Sequence, residues 1–344
     1  ELGLDAQAFI NAEFPPNRIS FDLETQLAFF AKEPIQPLPG VSLAGKFDGS
    51  LEAHFSPDSL LNLNGALRSE NFTFGMTDGF QVENLSLQLP YEQTFRITAE
   101  GAHIQFENST PLALDDPVLF ASMQHQFGPR NENGRVRMSS AAFKEYRIQN
   151  LRGNLFFRQG RLAFPQFSLD AYDGTIYGGG RVDIPEFTPD SVRYRLQFAL
   201  ESVNSALLPG IRSTTRGEDA RITAFARFLG QGVRTDGYLD LEGGVDITQI
   251  GPKVADNLLK FLDPEETDPS IQAYRGYLSR GWGVKVFSFT INDDFVYASI
   301  TPAQPPLSKP DMFLVSRLVG LGKSITFGRV PLKFFLSQSN AKQP

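Results

Sequence analysis

Apolar and polar residues alternate along most of this 344-residue chain, and the alternation predicts strands. From Ile19, the side chains of Phe21, Leu23, Leu27 and Phe29 alternate with Ser20, Asp22, Glu24 and Gln26, the period of a pleated strand with one face buried. Pro34, Pro37 and Pro39 then predict a rigid connection. Val41 to Phe55 and Leu60 to Leu67 repeat the alternation, and Phe72 to Phe74 and Phe80 to Leu89 continue it with Asp78-Gly79 as a turn. The pattern is clearest from Tyr146 to Ile184. There Ile148, Leu151, Leu155 and Phe157 lead into Arg158-Gln159-Gly160-Arg161, and Leu162, Phe164, Phe167 and Leu169 lead into Tyr172-Asp173-Gly174, followed by Ile176, Val182 and Ile184. Gly-containing breaks of this kind are hairpin chemistry, so the product is a meander with one apolar face. Tyr194 to Leu200 and Ala220 to Leu241 predict further strands, separated by a polar loop from Ser213 to Asp219.

A helical period replaces alternation in a few places. Leu4 to Ala12 has helical spacing with Asp5 as its cap, ended by Pro15-Pro16. Val254, Leu258, Leu259 and Leu262 predict a helix over Pro252 to Leu262 that Asp263-Pro264 stops, and Asp268-Pro269-Ser270 starts a second that runs to Gly281. A last hairpin is expected at Asn292-Asp293-Asp294. Met312 to Leu321 is nearly continuous apolar sequence and too short to span a bilayer at about 1.5 Å per helical residue. Its Met312, Phe313, Leu314 and Leu318 are candidates for a membrane or partner contact, although plugging the end of a sheet is the preferred role. Phe327 to Leu336 reads as a final short strand.

Phe80 to Phe106 resembles a worn copy of the core meander, because Val82-Glu83-Asn84-Leu85-Ser86-Leu87 parallels Ile148-Gln149-Asn150-Leu151-Arg152-Gly153. Gln126 to Gly134 is the best candidate for a boundary. Three parts follow: a β-rich 1–130 with a short leading helix, a β-repeat core over 131–250, and a 251–344 region holding the helical cap, last hairpin and apolar segment.

Composition narrows the chemistry. The chain carries 31 Phe against 9 Tyr and 1 Trp, so most of its aromatic surface has no polar group to satisfy, which suits a dry face. A net charge of −7 argues against a nucleic-acid partner or polybasic attachment to anionic lipid. With no Cys, disulfides, thiol chemistry and cysteine metal sites are excluded. His54, His103 and His125 show no metal spacing, and no nucleophile elbow or phosphate loop is present. Gly178-Gly179-Gly180 reads as turn and bulge residues. Asp115-Asp116 and Asp293-Asp294 lack the spacing of a calcium loop and read as solvated turn acids. Asn71-Phe-Thr and Asn84-Leu-Ser match a glycosylation pattern relevant only to a eukaryotic secretory protein. No catalytic residue, metal or cofactor is expected. There is no signal peptide pattern and no apolar run of about eighteen residues, and the chain starts at Glu1 without Met, so a processed chain or a fragment of a longer, membrane-anchored precursor is expected.

The ordered set of strand, Gly-centred turn, apolar strand, then Ala-Tyr-Asp-Gly-x-x-Tyr-Gly-Gly-Gly over Ala171 to Gly180 resembles the repeating core of the AsmA-like family, of the AsmA, TamB and YdbH type. The likeness covers about Tyr146 to Ile250, and the helix pair with Gly281-Trp282-Gly283 resembles the terminal region of some members. The resemblance implies an elongated, curved, mainly antiparallel sheet, an open groove or taco, with a few short helices near the N-terminus and capping the C-terminal end. It implies a periplasmic protein, tethered to the inner membrane, that carries phospholipid or another acyl-chain lipid and works with inner- or outer-membrane proteins. Leu151, Leu155, Phe157, Leu162, Phe164, Leu169 and Ile176 are then the expected groove lining. Strands of six to eight residues at about 3.3 Å each are roughly 20–26 Å long, comparable to an extended acyl chain. The alternatives are an envelope scaffold whose apolar face is closed by a second sheet or a partner, and, less favoured, an enzyme on envelope glycans.

Overall fold

The structure is a computed structural model that describes residues 2–13, 20–56, 58–77, 79–98, 101–104, 134–143, 146–185, 191–208, 220–233, 239–263, 265–280, 282–292, 295–303, 324–327 and 330–331. The described chain is mostly β, in a mainly antiparallel sheet, with two α-helices of eleven residues each. It forms two compact units: 1–170 with 177–196 and 230–240, and 171–176 with 197–229 and 241–344.

In the first unit β1 (Leu2–Glu13), β2 (Ser20–Leu38), β3 (Val41–Ser56), β4 (Leu60–Met76) and β5 (Phe80–Thr98) form an up-and-down meander. The sheet then forks. The far end of β5 pairs with β6 (Gly101–Ile104), and its near half pairs with β7 (Gly134–Phe143), which continues into β8 (Tyr146–Arg158) and β9 (Arg161–Ala171). Past the start of β7, Tyr91 and Glu92 pair with Phe157 and Arg158 in the one parallel contact recorded among these registers. Gln159 and Gly160 both have positive φ, at 48° and 71°, as do Tyr172 and Asp173, at 52° and 56°. These are the two-residue hairpin turns expected at both places.

The expected leading helix over Leu4 to Ala12 is instead strand β1. It pairs with β2 in twelve consecutive positions from Leu2 opposite Ala31 to Glu13 opposite Ser20. Tertiary pairing overrides a weak helical spacing in a stretch that also alternates. The proline connection is likewise strand, since β2 runs through Pro34 and Pro37 to Leu38. β1 reaches only to Ala31, so on that side the described residues place no neighbour beside Pro34 and Pro37, and the missing N–H costs no ladder bond.

The strands are also longer than six to eight residues, running from ten to nineteen among β2–β5 and β7–β9. Asn71, Asn84 and Asn150 sit inside strands at φ of 50°, 52° and 52°. At each the alternation slips by one: Leu61, Leu63 and Leu67 give way to Phe72 and Phe74, Leu89 and Leu87 to Val82 and Phe80, Leu155 and Leu151 to Ile148 and Tyr146. A bulge with one left-handed residue absorbs the slip and keeps the apolar residues on one face, as the 6.1 Å approach of the Phe47 and Phe72 rings shows across the slip in β4. Asn tolerates that conformation better than other non-glycine residues.

The second unit holds the end of β11 (Arg193–Asn204), most of β12 (Arg221–Val233) and β13 (Leu239–Gln249), then β14 (Val284–Asn292), β15 (Phe295–Pro302), α1 (Pro252–Leu262) and α2 (Pro269–Ser279). Both helices and the last hairpin lie where the sequence predicts them. Asp268 caps α2 by accepting from the amides of Ser270 and Ile271 at 2.8 and 3.3 Å. The helices pack Val254, Leu259, Ile271, Tyr274 and Leu278 against Ile222, Ile247, Phe287 and Ile300 of the strands, and all nine are buried. Among the described residues no helix is long and apolar enough to cross a membrane.

Candidate apolar face of the first unit

Residues directly opposite each other on antiparallel strands share a face, so the registers assign side chains to faces. Phe21 is opposite Phe55, Phe55 opposite Leu61 and Leu61 opposite Phe95. The next row is Leu23, Ala53, Leu63 and Gln93, and a further one is Phe29, Phe47, Ser69, Leu87 and Val136, the last of which faces Gly153 and through it Phe167. The other face carries rows such as Asp22, His54, Asn62 and Thr94, or Asp48, Arg68, Gln88 and Arg135. One side of the meander is therefore apolar from β2 to β9 and the other polar. At about 4.8 Å per strand, the seven neighbours β2–β5 and β7–β9 make this face about 29 Å wide.

Six of the seven residues expected to line a groove lie on this face. Leu151 is opposite the buried Met138, Leu155 opposite Gly134, and Phe157 opposite Leu162. The rings of Phe164 and Phe167 stand 6.3 Å apart. Leu151, Leu155, Phe157, Leu162, Phe164 and Leu169 are all half-buried. Ile176 is half-buried too but belongs to the second unit. Met312, Phe313, Leu314 and Leu318 lie outside the described residues, as do Asp115-Asp116, Asp293-Asp294 and His125. The sequence reading missed how far the face extends: Phe21, Leu23, Phe55, Leu61 and Leu63 continue it. The signal was there, in the alternation of 19–67, but joining those strands to the core requires knowing their pairing.

Glycine positions in the face are occupied by their neighbours' side chains. Gly178-Gly179-Gly180 lies inside β10 (Gly174–Asp183), not in a turn. A Cβ on Gly180 would lie 2.3 Å from the Phe164 ring and 2.7 Å from Leu196, so this position is glycine because those side chains fill its space. In the same way Tyr91 lies over Gly65 and donates its hydroxyl to the carbonyl of Ser50 at 3.1 Å, and its partial burial pushes the phenol up.

Polar atoms at the fork are tied down. Gln93, buried on the apolar face, accepts from the amide of Gly160 at 2.5 Å and donates to the carbonyl of Thr94 at 3.0 Å. On the polar face Thr94 bridges Asn62 and Gln159, and His54 pairs with Asp22. Asp183, only 2% exposed, takes Arg161 and Arg181 at 2.9 Å each, and burial lowers the Arg181 guanidinium despite that carboxylate. Among the described residues no three His, Asp or Glu side chains are placed to hold a metal ion. The two glycosylation-like asparagines are the bulge residues Asn71 and Asn84.

No protein-family model, curated protein or solved structure matches the chain.

Proposed function

We propose that the protein is a non-enzymatic lipid carrier of the bacterial cell envelope, periplasmic and AsmA-like, which holds phospholipid or another acyl-chain lipid against the apolar face of the first unit. One observation carries the reading: large apolar side chains run in rows from β2 to β9 and most remain half-buried, while the side chains fully buried there are few, the small Ala31, Ala53 and Ser69 with Val82, Gln93 and Met138. A packed core buries its Leu and Phe; a face that takes a removable apolar ligand leaves them part-open. Each acyl CH2 moved from water onto such a face gains about 0.8 kcal/mol. Few polar groups lie among the rows, so head-group selectivity is weak. Inner- and outer-membrane proteins are the expected donors and acceptors of the lipid.

The test is native mass spectrometry with organic extraction of the purified chain, alongside the Leu162→Asp variant. Lipid at a stoichiometric level in the parent, lost in a variant that keeps its circular dichroism and melting cooperativity, is expected. A lipid-free parent, with a variant that unfolds, means instead that Leu162 is covered by protein and that the face serves a scaffold.

A further inference from the structure

The apolar face of the first unit ends differently at the two rims where its hairpins turn. At one rim the last row is Phe21, Phe55, Leu61 and Phe95, opposite one another across β2–β5 and all half-buried, with the Phe21 and Phe55 rings stacked at 5.4 Å. The turns beyond it are polar, with Asp58 and Ser59 between β3 and β4 and Arg158-Gln159-Gly160-Arg161 joining β8 to β9. At the other rim the last row is apolar and open. Leu38 is opposite Val41 and Val41 opposite Met76; past the β4–β5 turn, Phe80 is opposite Phe143 and Phe143 opposite Tyr146. Leu38 is 63% exposed, Met76 42%, Phe143 40% and Tyr146 48%. Two residues inward, Leu43, Phe74, Val82, Ala141 and Ile148 form the next row, which places these side chains on the apolar face.

The open rim is built as one piece. The Thr77 amide donates to the Gly40 carbonyl at 2.9 Å and ties the β4–β5 tip to the β2–β3 tip. The Phe80 ring lies 5.8 Å from that of Phe74 and 6.4 Å from that of Phe143, which ties it to the β7–β8 tip. Gly40 sits at φ 78°, and a Cβ there would lie 2.7 Å from the Thr77 hydroxyl, so this close approach requires glycine. At about 4.8 Å per strand, the three tips spread over about 24 Å from β2 to β8.

Charge and geometry specify what meets this rim. The tip segments 36–42, 75–81 and 142–147 carry two acids, Asp78 and Glu145, and two bases, Lys144 and Arg147, so the rim is formally neutral in a chain of net charge −7. Nothing in that balance recruits it to an anionic lipid surface or repels it from a zwitterionic one. Large apolar side chains on separate tips suit a fluid apolar layer that closes around each, whereas a folded partner would need a matched hollow for every tip. The amides and carbonyls of the turns hold the tips at interfacial depth, where water still reaches them, and an amphipathic Tyr such as Tyr146 favours that level. We propose that the β2–β3, β4–β5 and β7–β8 tips dip into the surface of a zwitterionic phospholipid bilayer, with Leu38, Met76, Phe143 and Tyr146 in the interface. This contact rests on the rim alone; that lipid passes between bilayer and apolar face across it rests on the carrier role proposed above.

The test is flotation of the whole chain with phosphatidylcholine vesicles, beside a variant carrying Leu38→Glu and Met76→Glu. Both side chains are exposed, so the variant should keep its fold, which circular dichroism verifies. The parent is expected to float, the variant to partition at least tenfold more weakly, and vesicles that also contain phosphatidylglycerol to bind the parent no better. Because the chain has no Cys, Met76→Cys and the exposed Asp58→Cys each accept one environment-sensitive dye, one at each rim. Vesicles should shift the dye at position 76 to the blue and leave that at position 58 unchanged. A parent that does not float, a double variant that floats as well as the parent, dyes that respond alike at both rims, or tighter binding to the phosphatidylglycerol vesicles overturns the proposal. A blue shift at position 76 that grows with protein concentration in the absence of vesicles overturns it in favour of a second copy on the rim. A parent that floats through this rim and yields no lipid on organic extraction upholds the bilayer contact and removes the carrier role.

Discussion

The two units use the same strand grammar and end in opposite states. In the first, alternating strands leave Leu155, Phe157 and Leu162 half-buried; in the second, Phe287 and Ile300 on alternating β14 and β15 are fully buried. The difference is the helical hairpin. Val254 and Leu259 of α1 and Ile271 and Tyr274 of α2 pack against the strands and close a core, and burial pushes the Tyr274 phenol up. An alternating strand thus supplies an apolar face without deciding whether that face becomes interior. A second layer decides it, and among the described residues the amphipathic helices that supply one lie in the second unit.

The largest expected effect follows directly. Phe287→Ala removes a ring with no exposure and leaves a cavity, so it should cost about 3–5 kcal/mol in urea unfolding, whereas Leu162→Ala on the half-buried face should cost less than half of that. The chain has one tryptophan, Trp282, which is buried in the second unit 5.3 Å from the Tyr277 ring. Its fluorescence therefore reports the second unit, and circular dichroism reports the strands of both. Equal costs at the two positions would mean that the first unit's face is as closed as the second unit's core.

A smaller effect concerns the joint between the helices. Asp263 is buried, and burial alone would raise its carboxyl; amide donors from Thr267 and Asp268, at 2.9 and 3.0 Å, with the side chains of Gln272 and Thr267, outweigh that and hold it below the usual carboxylate range. A carboxyl lowered on folding contributes stability that is fully present above its unfolded value near pH 3.9 and is lost as pH falls toward the folded value. The Trp282 signal should thus lose stability below about pH 4. Asp263→Ala should cost about 1–3 kcal/mol at neutral pH, because it strands two amides, and should flatten that acid loss. An acid profile unchanged by the substitution would remove Asp263 as its source.

The helical joint was legible because caps and stops are local: Asp263-Pro264 and Asp268-Pro269 fix both ends within a few residues. The hairpins at Gln159-Gly160 and Tyr172-Asp173 were legible for the same reason. What local chemistry misses is pairing. Leu4 to Ala12 fits a helix by spacing until β2 supplies a partner for every residue, and Pro34 looks like a break until β1 ends at Leu2, opposite Ala31. The first unit's face was half-read for this cause. Its core half lies on contiguous hairpins, and the other half joins through the fork at β5, where Tyr91 meets Phe157 across 66 positions of sequence.

The smallest effect tests the internal repeat. The likeness of Val82-Glu83-Asn84-Leu85 to Ile148-Gln149-Asn150-Leu151 has a conformational basis, since Asn84 and Asn150 share a φ of 52° where the alternation of each strand slips by one. Asn150 also donates to the Asp170 carboxylate at 2.8 Å, so its replacement removes two things. Asn150→Ala loses the bond and forces a side chain into the left-handed region, for about 1–2 kcal/mol, while Asn150→Gly loses only the bond and should cost less. The same order, Ala worse than Gly, should hold at Asn84, whose side chain donates to Ser139 at 3.3 Å. If Ala and Gly cost the same at both positions, backbone conformation is not what the two copies share. If Gly is milder at both, Asn is kept there because it lets a long strand change phase without turning its apolar residues to the polar face.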